Sequence, residues 1–124
     1  MIDDKRIHKE ELYEYVKVLI DLKYEFEKKG ICVLKEHFIN GDRFEKIMCS
    51  LVIQGYSSET IQEVFSNLIS SDSDKLEYDR HVLLVKFLLF LQRGVTSDTE
   101  LIIVLLSYVG IDYLDVYLKD YKLK

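Results

Sequence analysis

Proline is absent from this chain of 124 residues, and glycine and cysteine are scarce, at five and two residues. Without proline, few rigid breaks interrupt the backbone, so regular structure can extend over long stretches. Two cysteines are too few for a disulfide framework, which excludes the small secreted proteins that such bonds hold together. We therefore expect reduced thiols at Cys32 and Cys49 and a cytoplasmic location.

Long hydrophobic runs are also missing. The longest are residues 82–91, interrupted by Lys86, and residues 101–109. A membrane-spanning helix needs about 20 apolar residues, and the first residues contain no apolar segment typical of a signal peptide. The sequence therefore predicts a soluble protein with no membrane span, in which both runs are buried helices.

Basic residues are fewer than acidic residues in this chain. The 17 Lys and Arg residues face 22 Asp and Glu residues, for a net charge of -5. Nucleic-acid binding needs clustered Lys and Arg, so no nucleic-acid partner is expected. Hydrophobic residues make up 48% of the chain, too much for a disordered segment. We expect one domain, residues 1–124.

Apolar residues recur at helical spacing along most of the chain. From about residue 8 to about residue 39 they form one stripe, which predicts a long N-terminal helix that continues through Gly30. Residues 76–93 are apolar nearly all round and should form a centrally buried helix. The predicted fold is all-α, with about six helices.

The second half of the sequence resembles the first at an offset of 55 positions. This offset aligns Ile47 with Ile102 and Gly55 with Gly110. The pattern fits an internal repeat of residues 26–69 and 81–124, but amphipathic helix pairs also share leucines by chance. A duplication predicts that the two halves superpose.

Motifs for catalysis or cofactor binding are not found. The chain has no G-x-S-x-G, no G-x-G-x-x-G and no Walker A pattern. His37 lies beside Glu36 and five positions after Cys32, whereas metal ligands on a helix stand three or four residues apart or form a Cys-x-x-Cys pair. We therefore predict no enzyme, no cofactor and no metal site.

The last predicted helix carries a tyrosine at every fourth position. These are Tyr113, Tyr117 and Tyr121. This side of the helix either packs on the core of the domain or forms a partner surface, because aromatic residues are common in interface hot spots. The three tyrosines are candidate partner-binding residues, and a second copy of the chain is among the candidate partners.

Two consecutive segments, FEKKGICVLKEHF and FEKIMCSLVIQGYSSETIQEVF, occupy most of residues 26–69. They resemble the cytoplasmic segment of the flagellar stator protein MotA, in which a glycine-containing basic helix precedes an apolar helix that ends in a glycine turn. With the preceding EELYEYVKVLIDL, the resemblance covers about residues 8–70. The matching positions are Gly30, Leu34, Leu51, Val52, Ile53, Gly55, Ile61 and Val64.

The resemblance implies a docking module and not an ion channel. Stator proteins of that family have four membrane spans and use prolines where the chain re-enters the membrane, and this sequence has neither feature. In the family, a basic and an acidic residue near the glycine contact the rotor. The matching positions are Glu27 and Lys35, with both signs reversed, which implies a rotor or stator partner whose charges are reversed too.

The favoured function is a non-catalytic, helical protein-interaction module linked to motility. The alternative is a small helical regulatory protein unrelated to motility, such as a toxin-neutralising or phage-encoded factor. An enzyme with an unrecognised site is the third hypothesis.

Overall fold

The computed structural model describes residues 4–69, 74–94 and 97–122. Over these ranges it contains seven helices and no strand, and none of the helices is long and apolar enough to cross a membrane. The predicted all-α fold with a long N-terminal helix is confirmed. The helices are α1 (Asp4–Lys29), α2 (Cys32–His37), α3 (Arg43–Ile53), α4 (Ser58–Leu68), α5 (Lys75–Gln92), α6 (Asp98–Val109) and α7 (Ile111–Lys122).

Helix α5 is the centre of the core. It packs against α1, α3, α4 and α6, and its side chains Leu83, Leu84, Phe87 and Leu88 are fully buried. The apolar stripe of α1 is buried as well, as its spacing predicts. That stripe consists of Leu12, Val16, Leu19 and Leu22.

The predicted continuous helix through Gly30 is wrong, because α1 ends at Lys29. Gly30 adopts a φ of +86°, and its N–H donates to the carbonyl of Phe26 at 2.8 Å. Glycine reaches positive φ without a steric penalty, so it commonly ends a helix in this way. Helix α2 then packs against both α1 and α3. This break accounts for seven helices where about six are predicted.

Polar side chains cap the start of four helices, namely α3, α4, α5 and α6. Asp42 accepts a hydrogen bond from the N–H of Glu45 at 2.8 Å, and the Glu45 carboxylate accepts one from the N–H of Asp42 at 2.9 Å. This reciprocal capping box begins α3 and holds Asp42 in one orientation. Ser57 and Ser97 cap α4 and α6.

The 55-residue offset is visible in the helix bounds but not in the turns. Helices α3 and α6 begin at Arg43 and Asp98, which are 55 positions apart. Gly55 has a φ of +83° and is followed by Tyr56 and Ser57 before α4 begins. Gly110 has a φ of +159°, and α7 begins at the next residue. The duplication of residues 26–69 and 81–124 remains a prediction.

Candidate functional site

A groove of about 490 Å³ lies between α2 and α3. The Gly30 break and the turn before Asp42 place these two helices side by side, so that each contributes a wall. Volumes of about 300–1,000 Å³ are typical of ligand pockets. The lining residues are Leu34, Lys35, Phe38, Ile39, Lys46, Cys49, Ser50, Ile53 and Gln54.

The groove combines a buried apolar floor with one prominently exposed apolar side chain. Leu34, Phe38 and Cys49 are buried, whereas Ile39 is 62% exposed. Lys35 and Lys46 are both exposed and line the same groove. Covering exposed apolar surface is favourable, so this groove gains free energy when an apolar group occupies it.

Of the two charges that the stator resemblance singles out, Lys35 lines the groove and Glu27 does not. Glu27 accepts a hydrogen bond from Lys23, which is only 2% exposed and also donates to Asp98 at the start of α6. Burial lowers the pKa of Lys23, but its hydrogen bonds to the two carboxylates outweigh burial, so the pKa is raised above its usual value. Glu27 therefore helps to neutralise a buried lysine.

Tyr113 and Tyr117 line a second groove, of about 390 Å³, together with Tyr13 of α1. The rings of Tyr13 and Tyr113 lie 5.0 Å apart between centroids, and both predicted tyrosines pack against the core. These contacts favour the core-packing interpretation for this side of α7. The Tyr121 side chain lies outside the described part of the structure.

A third concave site, which the sequence analysis does not predict, joins the start of α3 to α1 and α5. His81 of α5 is buried, and its Nε2 lies 2.9 Å from Oδ2 of Asp42. Its ring stacks on Phe44, with 4.0 Å between centroids and 18° between planes. The pocket measures about 360 Å³ and is lined by Glu11, Glu14, Tyr15, Val18, Asp42, Glu45, Glu77, Arg80 and His81.

Part of this site has a sequence signal. Metal-ligand spacing is missing around His37, but Glu77 and His81 stand four residues apart on α5. Asp42 is 39 positions from His81, and only the packing of α3 on α5 reveals that the two side chains meet.

Asp79, two residues before His81, is buried in a different way. Its carboxylate accepts hydrogen bonds from His8 at 2.6 Å, Lys75 at 2.9 Å and Tyr108 at 2.7 Å. Burial raises the pKa of Asp79, but these hydrogen bonds outweigh burial, and the pKa lies below its usual value. The ionised carboxylate cross-links α1, α5 and α6.

Comparison of the chain with protein-family models, with curated proteins and with solved structures finds no match in any of the three.

Proposed function

We propose that this chain is a protein-interaction module whose α2–α3 groove binds an apolar segment of a partner protein that carries acidic residues. The observation that supports this most is Ile39, which is 62% exposed in a groove with a buried apolar floor and two exposed lysines. A few side chains that are buried in well-packed pockets supply most of the affinity in protein interfaces.

The two lysines of the α2–α3 groove indicate that its partner carries negative charge. The chain has a net charge of -5, so the pair formed by Lys35 and Lys46 is a local positive patch on an acidic protein. Opposite charges accelerate encounter, and like charges that face each other are costly. An acidic partner is therefore repelled by the protein as a whole and attracted at the groove, which orients it before contact.

The groove lacks the chemistry of a catalytic site. Cys49 lies in its floor, and burial, together with the negative charge of Glu45, raises the pKa of this thiol to about 12. The thiol is protonated at neutral pH, and the thiolate is the nucleophilic form. No histidine or carboxylate occurs among the described residues that line the groove. These features favour binding over catalysis.

A displayed library of short random peptides tests the proposal. Selection on the parent protein, with counter-selection on Ile39→Asp, should enrich peptides with apolar residues at helical spacing and Asp or Glu beside them. Because Ile39 is mostly exposed, Ile39→Asp should unfold at the parent's temperature. Loss of binding in this variant then reports on the groove and not on folding.

The enriched peptides should distinguish the groove lysines from other lysines. By fluorescence anisotropy, Lys35→Glu and Lys46→Glu should each weaken binding several-fold, and more strongly at low salt. Lys28→Glu is the matched control, since Lys28 is exposed at the end of α1 and does not line the groove. Peptides that bind Ile39→Asp as tightly as the parent, or that lack acidic residues, contradict the proposal.

The resemblance of residues 8–70 to the stator family leads us to propose a flagellar rotor or stator component as the natural partner. Purified rotor and stator proteins are the probes for this step. Binding that Ile39→Asp abolishes supports a role in motility. If neither binds while acidic peptides do, the alternative follows, a helical regulatory protein with a partner outside the flagellar motor.

A further inference from the structure

The pocket at the start of α3 brings together three side chains that commonly ligate metals. One ligand atom each from Asp42, Glu77 and His81 lies within 4.8 Å of the other two. We propose that these residues bind a divalent transition-metal ion, with zinc preferred, and that the ion clamps α3 to α5. This site is separate from the α2–α3 groove and does not depend on the proposed interaction function.

His81 is the best prepared of the three ligands. Its side chain is buried, and the stacked ring of Phe44 fixes the plane of the imidazole. Nε2 is the atom that faces the carboxylate of Asp42. An ion between these two atoms replaces their hydrogen bond with two metal–ligand bonds, and the imidazole binds in its neutral form.

The capping box of α3 orients the second ligand. Oδ1 of Asp42 accepts the N–H of Glu45, which leaves Oδ2 directed at His81. Such outer hydrogen bonds hold ligating carboxylates in place in known metal sites. Glu77 is the third ligand, and it lies on the same face of α5 as His81 because residues four apart in a helix are neighbours.

The charges around the pocket favour a cation. Arg80 is the one arginine among the lining residues, which include five carboxylates: Glu11, Glu14, Asp42, Glu45 and Glu77. Burial, followed by the negative charge of Glu45, raises the pKa of Tyr15. Its neutral hydroxyl donates to Glu45 at 3.3 Å. The tyrosine therefore adds no charge to the pocket, whose five carboxylates outnumber the single arginine in its lining.

The ligand types select the class of ion. Imidazole together with carboxylates suits zinc and other transition metals, whereas magnesium and calcium prefer oxygen ligands alone. Bonds to zinc are about 2.0–2.2 Å long, so ligand atoms around one ion stand no more than ~4.4 Å apart. The three atoms are close to this limit, and Asp42 and Glu77 are exposed, so small side-chain rotations complete the site.

Isothermal titration with zinc chloride and magnesium chloride tests the site on the full chain. The parent should bind one zinc ion in preference to magnesium and unfold at a higher temperature when zinc is present. Glu77→Gln and Asp42→Asn should each lower zinc affinity at least about tenfold. Asparagine caps helices as well as aspartate does, so Asp42→Asn should still fold. Glu63→Gln, an exposed change on α4 outside the pocket, is the matched control and should bind like the parent.

A second variant tests the competing location for zinc. Cys32 and His37 are both exposed, so the double variant Cys32→Ser, His37→Asn removes two surface ligands and should keep zinc affinity. With cobalt in place of zinc, the visible absorption of the parent should be unchanged in this double variant and weaker in Glu77→Gln at the same cobalt concentration. The proposal is overturned if Glu77→Gln and Asp42→Asn bind zinc as the parent does, or if the double variant abolishes binding.

Discussion

Two histidine–aspartate contacts in this protein have opposite burial. In the contact between His8 and Asp79 the carboxylate side chain is 6% exposed and the histidine 23%. In the contact between His81 and Asp42 the histidine is 9% exposed and the carboxylate 45%. The aspartate is therefore the more deeply buried partner in one contact, and the histidine is the more deeply buried partner in the other.

The difference shows what burial requires of each group. A buried carboxylate is costly unless donors surround it, and Asp79 is accordingly held by His8, Lys75 and Tyr108. A buried imidazole ring offers only two nitrogens that need partners, so the carboxylates around His81 can keep oxygens that face the pocket. The contact of His8 with Asp79 is a buried cross-link whose carboxylate is surrounded by donors. The contact of His81 with Asp42 leaves carboxylate oxygens available to bind a metal ion.

Removal of the buried carboxylate should have the largest effect. Asp79→Ala leaves the partly buried donors of Tyr108 and His8 without their acceptor, and we expect the free energy of unfolding to fall by about 2–4 kcal/mol. Asp42→Asn keeps a capping side chain and should cost less than about 1 kcal/mol. Urea unfolding of both variants measures the difference. Equal losses would show that the two contacts do not differ as described.

A similar contrast separates Glu27, which pairs with the buried Lys23, from the exposed Lys35. These are the two residues that the stator resemblance singles out. Glu27→Lys places a second cation beside buried Lys23 and should lower the free energy of unfolding by about 1–3 kcal/mol. Lys35→Glu alters an exposed residue and should stay within about 0.5 kcal/mol of the parent. Thermal unfolding of both variants gives the comparison. A parent-like Glu27→Lys would mean that Lys23 is satisfied without Glu27.

The stability of the protein in acid should depend on the buried carboxylate of Asp79. The pKa of Asp79 is lower in the folded protein than its usual value, so this group stabilises the fold above the unfolded pKa, near pH 4. That contribution is lost as the pH falls through the folded pKa. Asp79→Asn should therefore flatten the stability profile below about pH 4. Superimposable profiles for parent and Asp79→Asn would contradict this assignment.

Local patterns account for the parts of the fold that the sequence predicts. The stripe through Leu12 and Leu19 is buried, as its spacing predicts, because helical periodicity depends only on residues that are close together in the sequence. The prediction of a continuous helix fails at Gly30, because the spacing of hydrophobic residues carries no information about whether a glycine adopts a positive φ. Ile47 is 42% exposed, although it stands three residues after Phe44 and four before Leu51, a spacing typical of the buried face of a helix.

The candidate sites depend on contacts that no local pattern contains. Lys35 is identified only through the stator resemblance. Its groove forms because the chain turns at Gly30, between α1 and α2, and α2 then packs against α3. A lysine is rarely buried, so nothing in the sequence predicts that Lys23 lies between Glu27 and Asp98. The meeting of Asp42 and His81 likewise follows from the packing of α3 on α5.

The break at Gly30 also makes the protein sensitive to chirality at a single carbon atom. An L-alanine side chain there would meet no atom within 4 Å, so its whole cost, roughly 1–2 kcal/mol, is the left-handed backbone itself. D-alanine prefers that backbone and restricts the unfolded chain, so it should raise the free energy of unfolding by about 0.4–1 kcal/mol. Semisynthesis of the two mirror-image substitutions, followed by urea unfolding, should give changes of opposite sign from the same methyl group.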